Sequence, residues 1–223
     1  MRIEPLREWC EEKSGVGVQI DPTGKTGTRK TAIQRERDDG SLASGMPAAC
    51  VLYGKQQLGN FAEGRYAEVI LKQNGERATQ SDYHAGGILV GLTRCSKEDY
   101  PDDCRSIFHV PDSWVLDVYG DLWRIPKETL VDGFASEHTT SKVPDWDSYA
   151  LMKDGDRIGL LLRPDGTLKV YWNGRCVGDL PVELAVTERI HLIVEILGRA
   201  EAVTINTAAK APEIPLPPGD EDD

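Results

Sequence analysis

The chain has 223 residues, 39% hydrophobic and 28% charged, enough to bury a core of its own without disulfide or metal staples. Its net charge of −11 opposes a phosphate backbone and excludes generic nucleic-acid binding, and no apolar run approaches the length of a membrane span. Five cysteines, an odd number behind an N-terminus without the apolar core of a signal peptide, suit reduced thiols and a cytoplasmic location.

In chain order, PLREWCEEK (5–13) places Leu6, Trp9 and Cys10 on one helical face, so a short N-terminal helix is expected within residues 1–14. GVGVQI (15–20) and TRKTAIQR then read as β-branched strands on either side of DPTGKTG (21–27). Its glycine-lysine-threonine triplet matches the end of a phosphate-binding loop. That loop needs a glycine five residues before Gly24, where Gln19 stands, and a helix after Thr26, where no apolar helical stripe follows. Asp21, Pro22 and Gly24 are instead expected to turn a hairpin, with Lys25 solvated at its tip. Arg29, Lys30, Arg35 and Arg37 read as a solvated strand face among acids rather than a nucleic-acid patch.

AACVLY (48–53) and RYAEVILK (65–72) continue the strand pattern, and GILVGLT (87–93) is a wholly apolar run suited to a central strand covered on both faces. RIGLLLR (157–163), PDGT, LKVYWN (168–173) and NGR form hairpins, because Asp165-Gly166 and Asn173-Gly174 tolerate the positive φ of tight turns. HLIVEIL (191–197) and AVTIN (202–206) complete about ten strands with no alternating helices. The fold class expected is all-β, an antiparallel two-sheet sandwich of SPRY or jelly-roll type spanning residues 15–206. The proline-rich acidic tail, 207–223, is expected to be disordered.

No catalytic constellation emerges. Ser113 follows Asp112, but the nucleophile-elbow motif is absent and His84, His109, His138 and His191 fall in no catalytic motif. Cys95, Cys104 and His109 lack metal-ligand spacing and a fourth ligand. The chain therefore reads as a non-enzyme with no cofactor and no metal. Its aromatic residues concentrate in 116–154, with Tyr119, Trp123, Phe134, Trp146 and Tyr149 interleaved by Arg124, the residue types that dominate protein interfaces. The partner-binding residues expected are Tyr119, Trp123, Arg124, Trp146 and Tyr149 of this insert, with Arg94 beside them. Trp114 and Trp172 lie in strand patterns and are expected in the core.

GGILVGLTRCSKEDYP, VPDSWVL, GDRIGLLLRPDGTLKVYWNG and HLIVEILGRAEAVTIN, in that order, resemble the neuralized homology repeat, a relative of SPRY domains. The positions that carry the resemblance include Gly91, Thr93, Cys95, Pro111, Trp114, Gly155, Asp156, Gly159, Asp165, Gly166, Gly198, Val203 and Ile205. It implies a protein-recognition module, either a substrate adaptor to a ubiquitin-ligase subunit or a component of a large cytoskeletal assembly, with self-association open. The chain departs from the pattern in its long 116–154 link and in lacking the cysteine/histidine series of a RING finger. A lectin-like sandwich that stacks its tryptophans on sugars is the alternative, and a hydrolase stands further off.

Overall fold

The computed structural model describes residues 6–15, 17–30, 50–73, 87–101, 104, 106–127, 137–144, 146, 152–197 and 200–212. Among them, β1 (Val18–Ile20), β2 (Thr26–Arg29), β3 (Val51–Tyr53), β4 (Gly59–Phe61), β5 (Gly64–Gln73), β6 (Gly87–Thr93) and β7 (Ser113–Leu116) come first. They are followed by β8 (Asp121–Ile125), β9 (Glu137–Lys142), β10 (Arg157–Leu162), β11 (Thr167–Trp172), β12 (Arg175–Pro181), β13 (His191–Leu197) and β14 (Ala200–Ile205). All strand pairs are antiparallel. They form an eight-stranded sheet, β1-β2-β14-β5-β10-β11-β12 with β4 beside β5, and a six-stranded sheet, β3-β13-β6-β7-β8-β9. The expected two-sheet sandwich is the fold.

Side-chain alternation distributes the apolar residues of the six-stranded sheet between two cores. Ile88, Val90 and Leu92 of β6 join Leu192, Val194 and Ile196 of β13 between the sheets, facing Val69 and Leu71 of β5 and Leu160 and Leu162 of β10. The intervening residues, Leu89 of β6, Ile193 of β13 and Val115 of β7, face outward into a second cluster. Tyr100, Cys104, Ile107 and Val110, from the link between β6 and β7, complete that cluster. GILVGLT is buried along its whole length because β6 lies inside the sheet and is covered on both faces.

Local turn chemistry sets the registers. DPTGKTG joins β1 to β2: the Asp21 carboxylate accepts from Thr23 Oγ1 and from the backbone N–H groups of Lys25 and Thr26, and Gly24 has φ +74°. The segment leads into a strand, and Lys25 is exposed, so it builds a hairpin and no phosphate loop. Asn173 and Gly174, with φ +52° and +81°, make the two-residue turn between β11 and β12.

The N-terminal helix expected over 5–13 does not form as such. Only a 3₁₀ turn appears, at Glu11–Lys13. Trp9 N–H donates to Gly24 O and Cys10 N–H to Tyr53 O, both at 2.7 Å, so pairing with the two sheets claims the groups a helix would need. Leu6 and Trp9 enter the inter-sheet core, while Cys10 joins the outer cluster. Within 116–154, β8 and β9 extend the second sheet.

A Cβ at Gly91 of β6 would strike Trp114 O and lie 3.1 Å from Val115 Cα, backbone atoms that cannot swing aside. Gly91→Ala is expected to lower stability by about 1–3 kcal/mol, seen as a reduced urea midpoint with an unchanged m-value. A wild-type midpoint would contradict the β6–β7 approach.

Candidate functional site

One carboxylate organises the exposed aromatic surface. Asp117, just after β7, accepts from the backbone N–H groups of Tyr119 at 2.8 Å and Asp121 at 3.0 Å through Oδ1. Its Oδ2 accepts from Trp123 Nε1 at 2.9 Å, and its backbone oxygen accepts from Trp146 Nε1 at 2.9 Å. Gly120 closes the turn with φ +87°, where a Cβ would strike Val143 O and Trp146 Cβ. One residue thus fixes two indole rings and the turn that carries Tyr119.

Tyr119 stands at the tip of the turn, 61% exposed, the one large hydrophobic side chain left exposed among the described residues. Trp123 lies opposite Val115 in the β7–β8 pair and so shares its outward face, half-buried. Phe108, from the segment that covers the sheet, meets Trp123 edge-on at 5.8 Å between ring centroids. Val118, also half-buried, packs against the same outer cluster. Phe108, Val118 and Asp117 were not among the residues singled out from the sequence; the 3.6- and 2-residue periods that guide such reading do not apply to loops.

The other expected site residues lie elsewhere. Trp146 is buried in the inter-sheet core, edge-on to Trp172 at 6.1 Å, and offers no free face to a partner. Trp114 is likewise core, whereas Trp172 is half-buried and donates from Nε1 to Asp156 Oδ2 at 3.0 Å. Arg94 sits at the opposite end of β7 from Tyr119, since Thr93 pairs with Ser113 and the turn follows Leu116. It grips both carboxylate oxygens of Asp112, reaches Glu188 Oε1 at 3.0 Å and lies 5.3 Å from the Trp114 ring centroid. The hydrogen bond to Asp112 holds its pKa above the ordinary value. Arg94 therefore ties together three loops. Arg124, on the inner face, meets Glu183 at 3.0 Å. Tyr149 and Phe134 lie outside the described residues.

Little else invites chemistry. Ser113 is buried and donates to Pro111 O. His191 stacks on Tyr53 and bonds Gly54 O through Nδ1, and burial depresses its pKa. Burial pushes the Cys95 thiol up to about 12, far from a reactive thiolate. Among the described residues no group of three or more His, Cys, Asp or Glu side chains could hold a metal ion, and no helix is long and apolar enough to cross a membrane.

The Neuralized family model matches residues 72–207. The chain belongs to the Neuralized family. The fold is also that of the Drosophila melanogaster neuralized NHR1 domain, at TM-score 0.51 and 12% identity, covering 90% of this chain and 98% of that one. The SPRY domain of human HERC1 superimposes at TM-score 0.51 and 15% identity, over 88% of this chain and 96% of that one. A human SPRY domain does so at TM-score 0.50 and 18% identity, over 88% and 98%. Comparison with curated proteins gives no match. Neuralized and SPRY domains are typically protein-interaction modules and are generally non-catalytic. Strands β1 to β4 lie before the matched stretch, yet β1, β2 and β4 pair into the same eight-stranded sheet.

The carboxyl group of Glu195 on β13 is buried under the β6–β7 link, accepting from Ile107 N–H at 2.9 Å and Ser106 Oγ at 3.0 Å. Burial raises its pKa above the usual 4.5, so the folded chain keeps a proton that the unfolded chain releases. Stability then falls as pH rises from about 4.5 through the folded-state value. Glu195→Gln, which can accept both bonds through its amide oxygen, should exceed the wild type in stability at neutral pH. The advantage should vanish in acid; denaturation midpoints across pH check this, and a Gln variant weaker at pH 7 contradicts it.

Proposed function

We propose that this chain is a non-catalytic recognition module that binds a partner protein or peptide on the patch of Tyr119, Trp123, Phe108 and Val118. The observation that carries this reading is Tyr119, exposed at the tip of a turn whose backbone and neighbouring tryptophan are pinned by a single carboxylate. Exposed aromatic residues on a rigid frame lose little conformational entropy on binding and bury much area, which is why Tyr and Trp dominate binding energy. The patch belongs to an adaptor or assembly component working in a reducing compartment, an assignment supported by five free cysteines, four of them buried. Arg94 lies at a distance from it, at the other end of β7, and Arg124 follows Trp123 in β8 but lies on the inner face, paired with Glu183.

Immobilised chain should retain a partner from a native extract, and mass spectrometry identifies it. Tyr119→Ala and the Tyr119→Ala/Trp123→Ala pair should reduce its recovery, by about tenfold for the pair. Cooperative thermal unfolding should persist. Undiminished recovery by the folded double variant would move the interface elsewhere.

A further inference from the structure

The eight-stranded sheet ends at β1, and beside that edge lies a cleft of about 510 Å³. One wall is the N-terminal segment with its 3₁₀ turn, Glu8 to Glu12; the other is Gln19 to Gly24, comprising the end of β1 and the DPTGKTG turn. A smaller hollow of about 250 Å³, reaching Ser14, Val18 and Lys30, shares Glu11, Gln19 and Ile20 with it. β1 therefore borders both spaces along its length.

The hydrogen-bond pattern shows which backbone groups face the cleft. Lys30 N–H donates to Gly17 O and Asp21 N–H to Thr26 O, which makes Val18↔Arg29 and Ile20↔Gly27 the non-hydrogen-bonded pairs of the β1–β2 ladder. The amide and carbonyl of Ile20 and the carbonyl of Val18 therefore point away from β2, toward the open edge. Val18 N–H turns back to Gly15 O. Among the described residues, nothing pairs with the Ile20 groups. The opposite edge of this sheet, β12, carries exposed Arg175 and Asp179 that discourage pairing, and β3 of the other sheet is covered by Cys10 and Gly15.

Charge selects the occupant. The large cleft carries Glu8, Glu11, Glu12 and Asp21 against Lys55 and Lys97. The lysines are already engaged: Lys55 meets Glu8 at 2.7 Å, and Lys97 pairs with Glu12. Glu11, exposed at the head of the 3₁₀ turn, has no ion pair among the described residues, and Lys30 lies only at the far end of the smaller hollow. An acidic trough beside an unpaired strand edge fits a positively charged, extended chain.

We propose that β1 is a second recognition surface, which adds an extended lysine- or arginine-bearing segment of a partner protein to the sheet. The segment bonds to Ile20 and Val18 and directs its cations toward Glu11 and the neighbouring acids. Strand addition of this kind takes its affinity from main-chain bonds and its selectivity from alternate side chains. The inference rests on reading the chain as a protein-interaction module, but uses a surface distinct from the Tyr119 patch.

The probe is a short fluorescein-labelled peptide of alternating lysine and valine, with an alternating glutamate–valine peptide as control, read by fluorescence anisotropy. The lysine peptide should bind in preference, weaken as salt rises, and slow amide exchange at Ile20. Ile20→Pro, which deletes the outward N–H without touching the β1–β2 bonds, should weaken binding about tenfold. Glu11→Lys, an exposed change that breaks no bond and decides the matter should the proline variant not fold, should weaken it about threefold. Equal binding of the two peptides, or wild-type affinity in Glu11→Lys and in a folded Ile20→Pro, overturns the proposal. Tyr119→Ala should bind the peptide normally, so loss of the native partner by that variant reports on the aromatic patch alone.

Discussion

The six-stranded sheet has to be buried on both faces, and much of the molecule answers to that requirement. β6 and β13 place apolar side chains on each side of the sheet, Ile88, Val90 and Leu92 inward but Leu89 and Ile193 outward. The eight-stranded sheet covers only the inner face. The outer face is closed by the link between β6 and β7, whose Ile107 and Val110 are fully buried, each contributing on the order of 1.5–3 kcal/mol. A loop so placed must satisfy its own backbone in an apolar setting, and Glu195 does part of this by capping Ile107. The same placement brings Phe108 against Trp123. The cover that completes the core therefore also supplies a half-buried ring, Phe108, to the aromatic patch.

Aspartate carboxylates orient two of the tryptophans, Trp123 and Trp172. Asp117 binds the Trp123 indole while tying down the turn that carries Tyr119, and Asp156 binds the Trp172 indole while accepting from Asn173 Nδ2 in the β11–β12 turn. In each case a carboxylate near a strand end satisfies an indole N–H and a turn together, so the ring orientation is coupled to the hairpin register. The turn that carries Tyr119 is thereby pinned to the ends of β7 and β8, which gives its side chains a fixed frame. Arg94 performs the corresponding task at the opposite end of β7, where Asp112 is held at φ +55° and Trp114 lies beneath the guanidinium.

Much of the fold was legible because its signals were local. GILVGLT announced a doubly covered strand, and Asp165-Gly166, Asn173-Gly174 and DPTGKTG announced their turns through residues that tolerate positive φ or cap a bend. The N-terminal segment misled because Leu6, Trp9 and Cys10 fit a helical face by spacing, while Gly24 and Tyr53, remote in sequence, captured its amides. The candidate site was half legible. Tyr119 and Trp123 do share a neighbourhood, through Asp117, but Trp146 shows the same composition and is core. Which ring turns inward depends on the long-range Trp146–Trp172 contact, invisible to any local pattern. Phe108 was out of reach for the same reason.

One covering segment seals the second sheet and shapes the patch proposed for recognition. Ile107→Ala tests this most directly, with stability and partner retention measured on the same protein. Loss of about 2–5 kcal/mol together with reduced retention of the partner whose recovery Tyr119→Ala lowers is the predicted result. Loss of stability with partner retention unchanged would contradict the coupling between cover and patch.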